Sequence, residues 1–492
     1  MQFWNFIREN KQNYFYLWST AILSIVLFTL FKISFPYPNL DFDSYHYLGA
    51  AMDSEHIGIW PAGYSIFLKI VHAISYSALF LVGIQYFVLQ LSCLIFFFSF
   101  LYFFRPGKIA SRVTYFFLFI NPLFLYCCNF ILSDAIFISL SLLWTTTLLW
   151  LIRKPRFLLL VTQAILLVLA LSVRYTALYY PFVAALAIIL SPLQIRLKLA
   201  GLAWMFTLVA GYVFYVSILV SQYSGQIQFS PFGGWKLAND ALYVYAHTYK
   251  NQKEPVPAEF KRLDEIVRTY FDTAHSLDNL MNYESRSAGS FYIFLPKSPL
   301  QTYLNEESGN NPQIEDWIRI SPFLASYGFY LIKQSPVSFL KYFMRPNACR
   351  YLFPPTENFT IGWTFTFSHD SMGKMASDWF RIRRMKVKLT YMTILLQTAS
   401  YYSILFAIIH IGFILAFFGL TFFHGIHDIR NNAQKQVIII AVLWLSDLIF
   451  CLTAAAVVLR YEFFMIIIES TFAIYYIDRS IQYIAKSPRS IE

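Results

Sequence analysis

Residues 79–104 read LFLVGIQYFVLQLSCLIFFFSFLYFF, 26 residues without one Asp, Glu, Lys or Arg. A helix rises about 1.5 Å per residue, so this run is long enough to cross a hydrocarbon core of about 30 Å. With no water to serve backbone N–H and C=O groups there, a helix is the form such a run must take. Apolar stretches of the same kind lie on either side of it, at about 14–34, 113–132, 135–152, 157–174, 176–193, 199–221, 395–423, 436–459 and 463–477. The pattern predicts an all-α polytopic membrane protein with about ten transmembrane helices.

Composition agrees. Hydrophobic residues make up 58% of the 492 and charged residues 13%, against about 25% charged in soluble domains. Aromatic residues reach 20%, which suits lipid-facing surfaces and interfacial belts. The net charge of +11 is not the mark of a nucleic-acid partner, because the basic residues are divided among short loops between apolar runs. With the N-terminus inside, the basic segments 105–112, 153–156, 194–198, 424–435 and 478–492 all fall on the cytoplasmic side, as the positive-inside bias requires. Both termini are therefore expected in the cytoplasm. The first apolar run has no small-residue cleavage site and reads as a retained anchor, with a bacterial inner membrane as the expected location.

The expected organisation is a transmembrane module over 1–221, an extracytoplasmic and mostly helical segment over 222–394, and C-terminal transmembrane helices over 395–492. The first external loop, 35–78, contains Trp60-Pro61-Ala62-Gly63-Tyr64 and then an amphipathic run with Lys69 and His72. That run is too short and polar to span, so it is expected to lie in the interface as a helix.

The same loop carries Asp41-Phe42-Asp43-Ser44-Tyr45 at the membrane edge. Carboxylates are costly there and point to function, either as a base for an acceptor hydroxyl or as a cation site. The plain alternative is a solvated turn or a helix N-cap; a capping Asp43 would leave Asp41 as the base. Ser133-Asp134 forms a second polar corner, which reads equally well as the N-cap of the following span. Arg174 ends an apolar run on the outer side, against the charge bias, and its fork suits a phosphate; snorkelling is the plain alternative. Arg460 has the same character, with an ion pair to Glu462 as its plain reading. Arg345, in a basic and aromatic stretch with Lys341 and Arg350, reads as a contact to lipid headgroups or a lipid phosphate, with interfacial anchoring the plainer role. The run 381–388 is more basic still and is read the same way. Asp447 stands alone in the middle of an apolar stretch, with no basic partner evident nearby.

No cofactor is implied. The five cysteines and the histidines at 46, 56, 72, 247 and 275 show no ligand spacing, so a divalent metal has no sequence support. No glycine-rich loop precedes a helix in the manner of a nucleotide site.

Taken in order, the first-loop aspartates, Pro61-Ala62-Gly63-Tyr64, Asn121-Pro122, Leu132-Ser133-Asp134, and Arg174 followed by Pro181 resemble the GT-C superfamily of polytopic glycosyltransferases. That superfamily includes the protein O-mannosyltransferases and the aminoarabinose transferase of lipid A. The resemblance covers residues 10–220 and the remainder only by layout. It lacks the Asp-Glu pair of the mannosyltransferases and a compact soluble C-terminal domain. It implies a polyprenyl-phosphate sugar donor, a protein, lipid or glycan acceptor, and inverting transfer on the extracytoplasmic face. By the same resemblance Asp41 or Asp43 is the base, Asp134 lies near the acceptor site, and Arg174 holds the donor phosphate; the residues themselves add Tyr45 to the acceptor corner and Arg460 and Arg345 to the phosphate site. The competing expectations are an oligosaccharyltransferase or ligase moving a preassembled glycan, and a transporter or flippase. The latter predicts ionisable groups near the membrane midplane.

Overall fold

The computed structural model describes residues 2–53, 58–251, 256–273, 291–355, 371–382, 401–424, 431–454 and 457–486. His56, His275, the basic run beyond residue 382 and parts of the 424–435 and 478–492 segments lie outside them. Among the described residues the protein is all-α: there is no strand, only an isolated parallel bridge between Asn39 and Phe130.

Seven stretches are long and apolar enough to cross a membrane: Lys11–Ser34, Ala78–Phe104, Lys108–Asn129, Asp134–Arg153, Ile195–Ser224, Tyr401–Phe422 and Asn432–Ala454. The other three expected spans fall on different material. Phe157–Val173 has 17 residues, about 26 Å of helix, and Tyr180–Leu190 has 11. The third expected span lies in Leu459–Lys486, whose polar residues include Arg460, Glu462, Glu469, Asp478 and Arg479.

Burial sorts the seven. Asp134–Arg153 is central, with 83% of its apolar window buried, whereas Ile195–Ser224 is peripheral at 17%. The peripheral helices turn large apolar side chains outward: Phe15, Ile22 and Ile33 on Lys11–Ser34, Leu199 and Phe214 on Ile195–Ser224, and Ile408, Leu415 and Phe422 on Tyr401–His424. Apolar surface on this scale is stable against lipid, not water.

Buried polar side chains stitch the first loop to the bundle. Asn121 caps the helix that Pro122 begins, accepting a bond from the Leu123 N–H at 3.0 Å. That helix ends at Asn129, and Gln85 donates to the freed carbonyls of Cys128 (2.7 Å) and Phe130 (3.1 Å). Gln85 also accepts a bond from the Tyr64 hydroxyl at 2.7 Å, which anchors the loop helix Gly63–Ile74. Lys32 and Asn129 pair at 2.8 Å, and the Asn129 amide donates to the Tyr37 carbonyl and the Asn39 side chain. Backbone bonds from Asn39 to Asn129 and from Ile131 to Asn39 complete the join. These contacts fix residues 37–41 against residues 129–131, and so set Asp41 against Asp134. Gly63 allows the loop helix to close on the next element: a Cβ there would lie 2.5 Å from the Ser172 carbonyl oxygen, two residues before Arg174.

Described residues between 232 and 332 form a second hydrophobic core around Trp235, Leu242, Tyr245, Leu263, Leu324 and Tyr327. The helices Pro231–Thr248 and Ile314–Gln334 pack tightly because Gly234 and Gly328 remove side chains at the crossing. Asp240 is buried in this unit and accepts a bond from Asn239 at 3.0 Å. Burial pushes its carboxyl up from 3.8 to about 8, against the opposing pull of Lys236 and Asn239. The folded state therefore keeps a proton that the unfolded chain releases. Stability is greatest below 3.8, falls as pH rises through the window to about 8, and is level above it. The melting temperature of the solubilised protein is expected to fall between pH 5 and pH 8, and Asp240→Asn to flatten that fall.

Candidate functional site

Four separate corners of the chain meet at one place. The first-loop helix Phe42–Met52 brings Asp41 and Asp43, the start of Asp134–Arg153 brings Asp134, the end of Phe157–Val173 brings Arg174, and the start of Leu459–Lys486 brings Arg460 and Tyr461. Arg460 is the hub. Its Nη2 donates to Asp43 Oδ2 at 2.6 Å, while its Nη1 lies 3.8 Å from Asp41 Oδ2 and 4.0 Å from Asp134 Oδ2. Arg174 pairs with Asp134 Oδ1. The Tyr461 ring faces both guanidiniums, 4.9 Å from that of Arg174 and 5.3 Å from that of Arg460. Three carboxylates thus face two guanidiniums, leaving one negative charge in excess.

The helix start separates the two first-loop aspartates. Asp41 immediately precedes the helix, and its N–H donates to Ser44 Oγ at 2.9 Å while its carbonyl accepts from the Ser44 N–H. Ser44 thus reaches back as the third helical residue of a capping box does, leaving the Asp43 carboxylate to Arg460. Burial works against charge on Asp43, but Arg460, by charge and by hydrogen bond, outweighs it and holds the carboxyl below the usual range. Asp41 makes the longer contact to Arg460, 3.8 Å against 2.6 Å for Asp43, and has the more exposed side chain, 24% against 18%.

Ser133 makes no capping bond; its hydroxyl pairs with that of Tyr47 at 3.2 Å. Tyr47 sits four residues after Asp43, on the same face of the helix, and is fully buried. Burial, then the charge of Asp43, pushes its phenol up, so it remains a neutral hydroxyl. His46 stacks on Trp60 at 4.2 Å, and burial lowers its imidazole to about 4 despite Asp43. It is neutral at physiological pH and adds no positive charge to the site.

Two expected members stand apart. Tyr45 turns its ring toward His46 at 5.6 Å, and no hydrogen bond or ion pair among the described residues joins it to the cluster. Arg345 is exposed at the start of the helix Arg345–Leu352, and no contact among the described residues links it to Arg174 or Arg460. Arg460 pairs with the first-loop aspartates and not with Glu462, which is buried elsewhere.

Two buried atoms of the cluster lack hydrogen-bond partners among the described residues: Arg460 Nε, a donor, and Asp134 Oδ2, an acceptor. A buried donor left unmade costs free energy and is a ready contact for an incoming anionic oxygen. Beside the cluster, a cavity of about 100 Å³ is lined by Trp60, Gly63, Ser172, Tyr175, Tyr212 and Tyr215, with none of the charged residues in its wall.

The Tyr175–Tyr179 turn connects Arg174 to a second polar group. The Tyr179 hydroxyl donates to Asp447 at 2.8 Å, so Asp447 is not the isolated carboxylate of the sequence reading. The Tyr351 hydroxyl lies 3.3 Å from both Asp447 and Glu469, and Glu469 pairs with His410 at 2.6 Å. These residues come from four helices far apart in sequence, so spacing gave no signal for them.

No protein-family model, curated protein or solved structure matches the chain.

Proposed function

We propose that the protein is a membrane glycosyltransferase that moves a sugar from a polyprenyl-phosphate carrier to an acceptor hydroxyl, with inversion. The observation that carries this reading is the convergence of Asp41, Asp43, Asp134, Arg174 and Arg460 from four corners, with Arg460 Nε left as a buried free donor. The resemblance of the loop and corner motifs to GT-C glycosyltransferases supports it independently of the geometry.

In this reading Asp41 removes the acceptor proton. The acceptor oxygen attacks the anomeric carbon, the bond from that carbon to the phosphate oxygen breaks, and the electron pair leaves on polyprenyl phosphate. The charge that develops on the leaving phosphate meets Arg460 and Arg174. Asp43 and Asp134 hold those arginines in place, and Asp41 lies beside Arg460 at the longer distance of 3.8 Å. A carrier lipid would approach between helices and leave its sugar on the polar side.

The donor half of this reading is tested without knowing the acceptor. Undecaprenyl phosphate in mixed micelles is expected to raise the melting temperature of the purified protein, and Arg174→Gln to remove most of that rise. An equal rise in wild type and variant would place lipid phosphate elsewhere.

The transporter reading gains one observation, the buried Asp447–Glu469–His410 group. It predicts proton-coupled movement of a solute in sealed vesicles and no release of polyprenyl phosphate, so the two readings separate on one preparation.

A further inference from the structure

Asp447 and Cys451 lie one helical turn apart on Asn432–Ala454, so their side chains share a face. The first turn of Leu459–Lys486 brings Glu462 against that face. One ligand atom from each of the three residues lies within 4.8 Å of the others, and all three side chains are buried. From these residues we propose a binding site for a thiophilic divalent metal ion, with Zn²⁺ the best fit. The site is separate from the carboxylate–guanidinium cluster and does not depend on the glycosyltransferase reading.

The spacing suits a tetrahedral ion. Zinc–sulfur bonds of about 2.3 Å and zinc–oxygen bonds of about 2.0–2.2 Å give a sulfur–oxygen edge of about 3.5 Å. Cys451 Sγ and Asp447 Oδ2 stand 3.9 Å apart, so a few tenths of an ångström of movement would close that edge, and Glu462, within 4.8 Å, would complete the set by a rotation of its side chain.

Glu462 supplies the second observation. It is fully buried, and neither carboxylate oxygen has a nitrogen or oxygen hydrogen-bond partner among the described residues; what it faces is the Cys451 thiol. A buried carboxylate without donors is costly unless a cation or a proton occupies the space in front of it. Asp447 and Glu469 lie close by, and no lysine or arginine forms an ion pair with any of the three carboxylates among the described residues.

The surroundings are those of a ligand set held from outside. Tyr179 and Tyr351 hydroxyls bond to Asp447, and Glu469 bonds to Tyr351 and to His410, which fixes the carboxylate orientations. The mixed oxygen and sulfur donors favour zinc over magnesium or calcium, which take oxygen ligands alone. Three protein ligands leave the fourth position to a water. With its site at the first turn of the helix that carries Arg460, the ion would tie that helix to Asn432–Ala454.

The test is metal content by inductively coupled plasma mass spectrometry on the full-length protein, purified in detergent, incubated with ZnCl₂ and desalted. About one zinc per chain is expected for wild type, as for a single four-coordinate site. Glu462→Gln and Cys451→Ser are each expected to lose most of it while keeping a single symmetric gel-filtration peak. Cobalt-loaded wild type should show a thiolate-to-metal charge-transfer band that Cys451→Ser abolishes. If Cys451→Ser does not fold, Glu462→Gln and the cobalt spectrum of wild type still decide the matter. Wild type without bound zinc, or zinc content unchanged in folded Glu462→Gln, would overturn the site and leave protons as the occupants of the carboxylates.

Discussion

Arg460→Ala is expected to abolish transfer and to destabilise the protein together. Arg460 reaches Asp41, Asp43 and Asp134 together, and its own side chain is only 13% exposed. Its removal leaves a group of carboxylates with Arg174 as their nearest cation, and breaking a buried pair from one side costs about 3–5 kcal/mol. The rate should fall by about 10²–10³, the usual cost of losing one donor to a developing oxyanion. Arg460→Lys keeps the charge but loses the fork that spans Asp41 and Asp43, so it should recover stability better than rate. The double variant Arg460→Gln with Asp43→Asn separates the effects. It removes both partners of the 2.6 Å bond, so melting temperature should recover while transfer stays lost. Recovery of transfer in the double variant would make the pair structural only.

The second large effect distinguishes the two first-loop aspartates. Asp41→Asn is expected to lower transfer by about 10²–10⁴, the range for a general base, with a smaller drop in melting temperature than Asp43→Asn, since its contact to Arg460 is 3.8 Å against 2.6 Å. Asp43→Asn should do the reverse in part: a clear drop in melting temperature from the lost Arg460 bond, and a smaller loss of rate through a displaced Arg460. Rates for both variants in membranes, with melting temperatures for both in detergent, check this. A greater rate loss in Asp43→Asn at unchanged stability would exchange their roles. The pH dependence gives a further check. Asp43 is held below the usual carboxylate range and His46 is lowered to about 4, so neither titrates between pH 5 and pH 8. His46→Gln should therefore leave the shape of the pH profile in that range unchanged.

Much of the architecture could be read from the sequence because lipid imposes it. An uncharged run such as 79–104 has one solution, and the structure gives a helix over Ala78–Phe104. The count was harder. Phe157–Val173 and Tyr180–Leu190 are as apolar as the seven longer helices but hold 17 and 11 residues, separated at Arg174-Tyr175. The helix after Pro61 was legible from its amphipathic pattern and begins at Gly63. Of the charged corners, Asp41, Asp43, Asp134, Arg174 and Arg460 were visible one by one because each breaks an apolar context. That Arg460 should meet Asp43 across more than four hundred residues was not visible, since only packing brings them together. Tyr47 was missed, although its four-residue offset from Asp43 was a usable signal. Tyr45 was favoured by adjacency, but helical geometry turns adjacent residues to different faces. Cys451 was counted among cysteines without ligand spacing; its offset of four from Asp447 was in plain view, while Glu462 and His410 approach only in three dimensions.

The central claim is that the carboxylate–guanidinium cluster performs sugar transfer from a lipid phosphate. The most direct measurement supplies membrane vesicles containing the protein with a panel of labelled undecaprenyl-phosphate hexoses and pentoses. Free undecaprenyl phosphate and label on non-lipid or lipid acceptors are then followed over time. Wild-type vesicles should release undecaprenyl phosphate from at least one donor and transfer its sugar with inverted anomeric configuration. Asp41→Asn and Arg460→Ala vesicles holding the same amount of folded protein should not. Equal release by wild type and Asp41→Asn, or transfer with retained configuration, would contradict the account.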